Sequence, residues 1–450
     1  MDITAGIARF VVETRYDKLS AESLATAKKA VLDCLGVTLA GSKEGSGQIC
    51  AEIARDEHAR EEATVLGQGF KSSVSQAAFV NGTASHALDF DHSFSLGGQP
   101  TAPIIAAVLS LSESLGMSGR QLLEAYAAGF EVTAKLVRSV CGSSEEGWHA
   151  PGVFGVFGAS AACAKLLGLD ASQVQMALGI TASMASGVVA NFGTMTKPLH
   201  VGLAARHGVV AAKLAQRGFT ANAQAIDAGV GFYENFYGGV PGDSAVIDEL
   251  GKSYDLETSG IKIKPYPCGG LAHTAIDATL NLGAQHAITA ERVESINVDV
   301  PRHTYSRIVF RVPETGLQGK FCMPYLVARA IADGKISLDA FTDAAVRDQN
   351  ILRLAEKVQM RLDADLKGSD ASSRPARVAI RMKDGQRHSL YVEHAKGSRE
   401  VPLTADELKA KFMECACQAI DQRNAAQALE YIERIETLDS IALLCELLKD

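Results

Sequence analysis

Up to about residue 260 the apolar side chains of this chain recur at helical spacing almost without a break, and beyond it they begin to alternate. That change of period limits the fold to a large helical body joined to a smaller α+β one. Ala21 to about Ala40 shows the first pattern: Leu24, Ala27, Val31, Leu35 and Leu39 fall on one face, and Ser20 stands where an N-cap is wanted. Comparable stretches run from Ser72 to Leu88, Thr101 to Leu115, Gly119 to Cys141, Gly152 to Leu167, Gln173 to Ala190, Pro198 to Gln216 and Gly270 to Gln285. Then "ESINVDVP" (Glu294 to Pro301) and "VQMRLDADL" near residue 360 alternate polar and apolar, and "ARVAIRMKDGQRHSLYVEH" reads as two strands joined by a hairpin at Asp384-Gly385. From Thr404 the amphipathic helical pattern returns in "TADELKAKFMECACQAI" and "LDSIALLCELLKD". The expected organisation is an all-helical domain over 1–260, with 401–450 packing back on it, and an α+β domain over 261–400.

At 450 residues, 47% of them hydrophobic, the chain is too long for one core and long enough for an enzyme. Forty-four Lys and Arg against 52 Asp and Glu leave a net charge of -8, and no block of five basic residues occurs, so nucleic acid is not an expected partner. The nine cysteines are scattered without regular spacing, as in a reduced, cytoplasmic protein. Cys415 and Cys417 lack a second pair at zinc-like spacing, so no metal is expected. The N-terminal "MDITAGIARFVVETRYDKLS" has no basic region ahead of an apolar core and does not read as a secretory signal. Met176 to Gly193 is free of charge but rich in Gly, Ser and Ala, which suits a buried helix rather than a membrane span. There is no internal repeat, no G-x-G-x-x-G after a strand and no Walker motif, so nothing asks for a nucleotide.

Four times the chain sets a polar or ionisable group a few residues ahead of Gly or Pro and then an apolar, small-residue helix. Asp89 to Gln99 precede the helix at Thr101; His149 precedes Pro151; Lys197 precedes Pro198; Lys264 precedes Gly269 and Gly270. A helix start offers N–H groups without intrahelical partners and the positive end of a dipole, so several converging would suit carboxylates. A lysine or histidine desolvated there can be tuned to exchange a proton near neutrality, as proton removal beside a carbonyl requires. Each residue also has a plain reading: His149 as a core histidine bonded to a carbonyl, Lys197 and Lys264 as solvated loop lysines, Asp89 and Asp91 as caps. His86, His200, His207 and His273 read as packing or surface histidines.

The blocks "AFVNGTASHALDFDHS", "GWHAPGVFGVFGAS", "NFGTMTKPLHVGLAARHGV", "KPYPCGGLAHTAIDA" and "GKFCMPYLVARAIADGKISLDAF" together resemble, in order and over nearly the whole chain, the MmgE/PrpD family. Its members include 2-methylcitrate dehydratase, cis-aconitate decarboxylase and iminodisuccinate epimerase. The resemblance implies a large helical domain with a smaller α+β domain, a homodimer, an interdomain active site, and cofactor-independent chemistry on a small di- or tricarboxylate. It carries Asp89, His149, Lys197 and Lys264 onto active-site positions and Tyr325 onto a pocket-lining tyrosine. Ser93 keeps the hydroxyl of a threonine in the decarboxylase.

Two positions depart from the family pattern. Gln99 stands where a histidine is expected, and Gln exchanges no proton at neutral pH; Gly269 stands where the decarboxylase has another histidine. His92 and His273 lie near in sequence as substitutes. The blocks around His149 and Lys197 are especially similar to the epimerase branch, which itself keeps a histidine at position 99. The leading expectation is therefore proton abstraction α to a carboxylate, ending in elimination or reprotonation. In it His149 or Lys197 serves as base or acid, Lys264, Ser93, Gln99 and His92 hold substrate, and Asp89 orients a cation. The alternatives are a methylcitrate-type hydro-lyase, an aconitate-type decarboxylase, and a non-catalytic carboxylate binder.

Overall fold

The computed structural model describes residues 3–94, 98–140, 147–238, 244–368 and 373–450. It divides into two compact units, Met1–Lys262 with Thr404–Asp450, and Ile263–Leu403.

The first unit is a helical assembly whose helices begin at side-chain caps. Ser20 accepts from the Ser23 N–H at the start of the helix Ala21–Gly41, and capping boxes at Ser118, Asp170 and Thr404 open Gly119–Ser139, Ala171–Ala182 and Ala405–Ala416. The helix Val74–Ala87 is buried on every side except at Ser75, so it forms the unit's centre rather than its surface. Thr196–Gln216 crosses it glycine to glycine. A Cβ on Gly202 would lie 2.1 Å from Thr83 Oγ1 and 2.4 Å from the Phe79 carbonyl, and one on Gly82 would lie 2.9 Å from Gly202 Cα. Only hydrogen at both positions lets the two backbones come this close. The helix Ala405–Ala416, where the chain returns to this unit, packs on Ala21–Gly41. Two short antiparallel pairs complete the unit: β1 (Ala63–Val65) with β2 (Phe70–Ser72), and β3 (Ser93–Phe94) with β4 (Ile261–Lys262).

Two helices are shorter than their sequence patterns. The stretch expected to run from Gly152 to Leu167 is broken at Phe154 into Ala150–Val153 and Gly155–Leu166, Phe154 closing the first and opening the second. The helix expected from Gln173 to Ala190 stops at Ala182. Beyond it Gly187 takes φ +122°, and Val188 forms an antiparallel bridge with Trp148. Apolar periodicity continues through 183–190, but tertiary pairing takes these backbone groups from the helix. Cys141, the expected end of the helix from Gly119, lies outside the described residues. Among those residues no helix is long and apolar enough to cross a membrane.

The second unit is built on a four-stranded sheet ordered β6-β5-β7-β8, with β5 Val293–Val300, β6 Val358–Leu362, β7 Ala376–Met382 and β8 Arg387–Val392. β5 runs parallel to β6 and antiparallel to β7; β7 and β8 form the hairpin, Gly385 supplying the left-handed turn residue at φ +86°. Val378, Ile380 and Met382 of β7 point inward with Ile296, Val298 and Val300 of β5, and the helices His273–His286 and Met323–Asp333 close over them.

Candidate active site

Asp89 sits two residues beyond the last turn of Val74–Ala87, with its N–H on the His86 carbonyl and φ +52°. This left-handed residue ends the helix where glycine is commoner, and Asp tolerates the region better than most side chains do. The turn folds the Asp89 carboxylate back toward the first turn of Thr196–Gln216, where Lys197 meets it: Nζ donates to Asp89 Oδ1 at 2.8 Å. The same ammonium lies 2.8 Å from His86 Nε2. Both ends of the ion pair are buried. The close glycine crossing is what brings His86, late in one helix, beside Lys197, early in the other.

His86 is keyed from behind. Its Nδ1 lies 2.9 Å and 3.0 Å from the two oxygens of Asp91. A carboxylate only accepts, so Nδ1 carries the proton and Nε2 presents a lone pair to Lys197. Burial holds this imidazole's pKa below its ordinary value against the opposing pull of Asp91, and the Lys197 charge lowers it further.

His149 is placed by the bridge that ended the preceding helix. Its N–H donates to Gly187 O at 3.0 Å, and the Val189 N–H donates to Gly147 O, pinning the residue ahead of Pro151. Its Nδ1 lies 3.1 Å from Nδ1 of His200. Phe192 stands edge-on to His149 at 5.0 Å between ring centroids, and the Lys197 ammonium is 5.3 Å from the centre of the Phe192 ring. Burial first, then the Lys197 charge, push His149 well below its usual pKa; burial brings His200 down to about 4. Both rings are therefore neutral at neutral pH. Among the described residues none hydrogen-bonds His149 Nε2.

The loop joining these parts is anchored by a further buried histidine. His92 has Nδ1 2.8 Å from Asp33 Oδ2 and Nε2 2.7 Å from Thr101 Oγ1, which in turn lies 2.8 Å from the Tyr126 hydroxyl. Lys411, from the helix Ala405–Ala416, bonds Asp33 and the Phe90 carbonyl. With both ring nitrogens bonded inside the protein, His92 is placed to brace the 89–94 segment rather than to face a ligand.

Ser93 is half-buried in β3 opposite Lys262. Gln99 is half-buried ahead of Pro100, and the neighbouring Gly98 approaches the Ala150 methyl, so the turn bearing Gln99 packs on the turn that follows His149. Ser95, Leu96 and Gly97 of this block lie outside the described residues. Lys264 belongs to the second unit, where it is buried with its Cε 3.7 Å from the position a Gly270 Cβ would take. A Cβ on Gly269 would lie 3.1 Å from the Phe321 ring, so this unit is packed around the missing side chain. Tyr325, also in the second unit, is fully buried; its hydroxyl donates to the Ala340 carbonyl and accepts from Arg329 Nε at 2.9 Å. That engagement differs from an open pocket wall.

His86, Asp91, His200 and Phe192 were not among the site candidates from sequence. Their signal was weak: a histidine at helical spacing looks the same whether it fills a core or keys a lysine. His86, Asp89 and Asp91 also form a group with metal-ligating atoms within 4.8 Å of one another. Lys197 bonds two of the three, so an ammonium already holds the cation's place.

Family models for the MmgE/PrpD N-terminal domain and the MmgE/PrpD C-terminal domain match residues 5–243 and 266–437. The chain is similar to the cis-aconitate decarboxylase of Mus musculus, 27% identical over 461 residues that cover 99% of this chain and 93% of the relative. The Homo sapiens protein of that name is 28% identical, covering 99% and 94%, and that of Aspergillus terreus 25% identical, covering 99% and 96%.

Proposed function

The chain belongs to the MmgE/PrpD family, and from that premise we propose that it is a cofactor-independent lyase acting on a small di- or tricarboxylate by moving a proton at carbon next to a carboxylate. Loss of carbon dioxide from a cis-aconitate-like acid is the first reaction to assay, because the relatives carry that name. The observation that carries the reading is the pairing of a buried Lys197, held between Asp89 and His86, with a neutral His149 whose Nε2 has no described partner. A neutral imidazole can take up a proton, and a nearby ammonium stabilises the negative charge that develops when a carbon–carboxylate or carbon–hydrogen bond breaks. Lys264, Ser93 and Gln99 are assigned to substrate carboxylates on the family resemblance.

The test is incubation of the protein with a panel of di- and tricarboxylates in deuterated water, followed by proton NMR. The expected result is loss of carbon dioxide with one deuteron entering the product. A new alkene with release of water would redirect the assignment to a hydro-lyase, and deuterium entering an unchanged skeleton to an epimerase. If no acid on the panel reacts or exchanges, the enzymatic reading is wrong. A ligand at one hundred times its dissociation constant should add about 2.7 kcal/mol of stability, so thermal shift selects the panel.

A further inference from the structure

His149 Nδ1 and His200 Nδ1 face each other at 3.1 Å inside the first unit. Two such atoms at that separation hold one proton between them. With none, two lone pairs would oppose, and with two, the hydrogens would clash. His200 has little room to turn away: a Cβ on Gly187 would sit 3.1 Å from its ring, and one on Gly152 3.4 Å from its Cβ, so it is walled by two residues with no side chain to give way. The Gly187 carbonyl also holds the His149 backbone, so one short segment fixes both partners.

We propose that His200 is a positioning residue for His149: it accepts the Nδ1 proton of His149, fixes the two rings in opposite tautomers, and so leaves His149 Nε2 bare to carry the proton exchanged with substrate carbon. The direction follows from the surrounding charge. The groups acting on the couple are Lys197, on the helix that also carries His200, His86 from Val74–Ala87, and Asp89 beyond that helix's end. Lys197 ranks first among the charges on His149 and second on His200; with Nδ1 turned to His200, Nε2 is the nitrogen left open to other groups, and a nearby cation favours a lone pair over an N–H there. His86 and His92 follow the same rule, each giving Nδ1 to a carboxylate and keeping Nε2 for a donor. In the loss of carbon dioxide, His149 Nε2 takes up a proton from water, giving an imidazolium whose Nδ1–H stays on His200. As carbon dioxide leaves, the electron pair of the broken carbon–carboxylate bond takes that proton as the new C–H bond, which restores the starting tautomer.

His149 as the proton-transfer group rests on the lyase reading; the tautomer couple does not. Long-range proton–nitrogen correlation of 15N-histidine protein near pH 7, assigned with His149→Gln and His200→Asn, reads the couple without any substrate. His149 as Nδ1–H and His200 as Nε2–H is expected; the reverse assignment, or both rings as Nε2–H, overturns it. In His200→Leu the His149 signal should move to a tautomer mixture. With a turned-over acid in hand, His200→Leu should lower kcat at least tenfold, leave KM within twofold and shift the pH profile of kcat. His200→Asn, whose amide oxygen can still accept from Nδ1, should recover most of the loss. Unchanged kcat and pH profile in His200→Leu would overturn the catalytic part while the NMR result stood. If no acid turns over, the lyase reading fails and the NMR result still decides the couple.

Discussion

Replacing Asp89 tests whether the Lys197 ion pair organises the first unit. Asp89 and Lys197 are each 6% exposed, and the bond between them is 2.8 Å. Breaking a buried pair by removing one partner leaves an uncompensated charge and costs about 3–5 kcal/mol. The backbone adds a second component that can be separated. Asp89 holds φ +52°, a region that costs most side chains roughly 1–2 kcal/mol but suits Asn and Gly. Asp89→Asn therefore isolates the charge at about 3–5 kcal/mol, Asp89→Ala should exceed it by about 1 kcal/mol, and Asp89→Gly should fall below Asp89→Ala. Lys197→Met placed in the Asp89→Asn background removes the stranded ammonium and should restore most of the loss, giving a coupling of at least about 2 kcal/mol. The chain's one tryptophan, Trp148, adjoins His149 in the first unit, so urea unfolding followed by its fluorescence reports this unit directly. Because the pair is buried, moderate salt should leave these differences nearly unchanged. A cost below about 1 kcal/mol for Asp89→Asn, or additive effects of the two substitutions, would refute the pairing as the organising contact.

Gly202→Ala puts a methyl 2.1 Å from Thr83 Oγ1 and 2.4 Å from the Phe79 carbonyl, so the helices must separate. Unfolding midpoints should show a loss of at least about 3 kcal/mol, only partly relieved by adding Thr83→Ala. His149→Gln should reduce turnover by about 10²–10⁴ while leaving the circular-dichroism melt near that of the parent; a smaller loss would remove His149 from the proton-transfer step. Asp33 is fully buried, where desolvation alone would raise its pKa, yet Lys411 and His92 bring it down to about 2 from 3.8. A depressed carboxyl stabilises above its unfolded value, so about 2 kcal/mol should be present above pH ~4 and be lost as pH falls toward 2. Stability curves of the parent and Asp33→Asn should therefore converge over that window, and parallel curves would contradict it.

The fold was legible wherever one period ran unopposed. β7 and β8 follow from alternation and Asp384-Gly385, and Ala21–Gly41 from its heptad-like spacing and Ser20 cap. It was illegible where a distant partner claimed the backbone. Nothing local in Ser183 to Ala190 announces that Val188 will bridge Trp148, because Gly, Ala and Val satisfy a helix as readily as a loop. The same distinction runs through the candidate site. Asp89, His149 and Lys197 could be picked out as ionisable groups at loop ends before Gly or Pro. His86 and His200 lie within helices at core-like positions, and only the glycine crossing of Gly82 and Gly202 and the turn at Gly187 show what they touch.

A scaffold kept only for packing has an easier solution for each of these positions, because a buried ion pair is often no more stable than apolar residues of equal volume. Val74–Ala87 already buries Ala77, Ala78, Val80 and Ala84, so the helix does not need His86 to fill its centre. Yet Asp91, His86, Lys197 and Asp89 form a continuous chain of bonds there, and Asp33, His92 and Thr101 form another that braces the intervening turn. In both chains each described imidazole nitrogen has a partner. His149 breaks the rule at Nε2, beside the cation the first chain holds in place. With Nδ1 held by His200 and Nε2 bonded by none of the described residues, the neutral His149 ring keeps one nitrogen open to a partner from outside the protein.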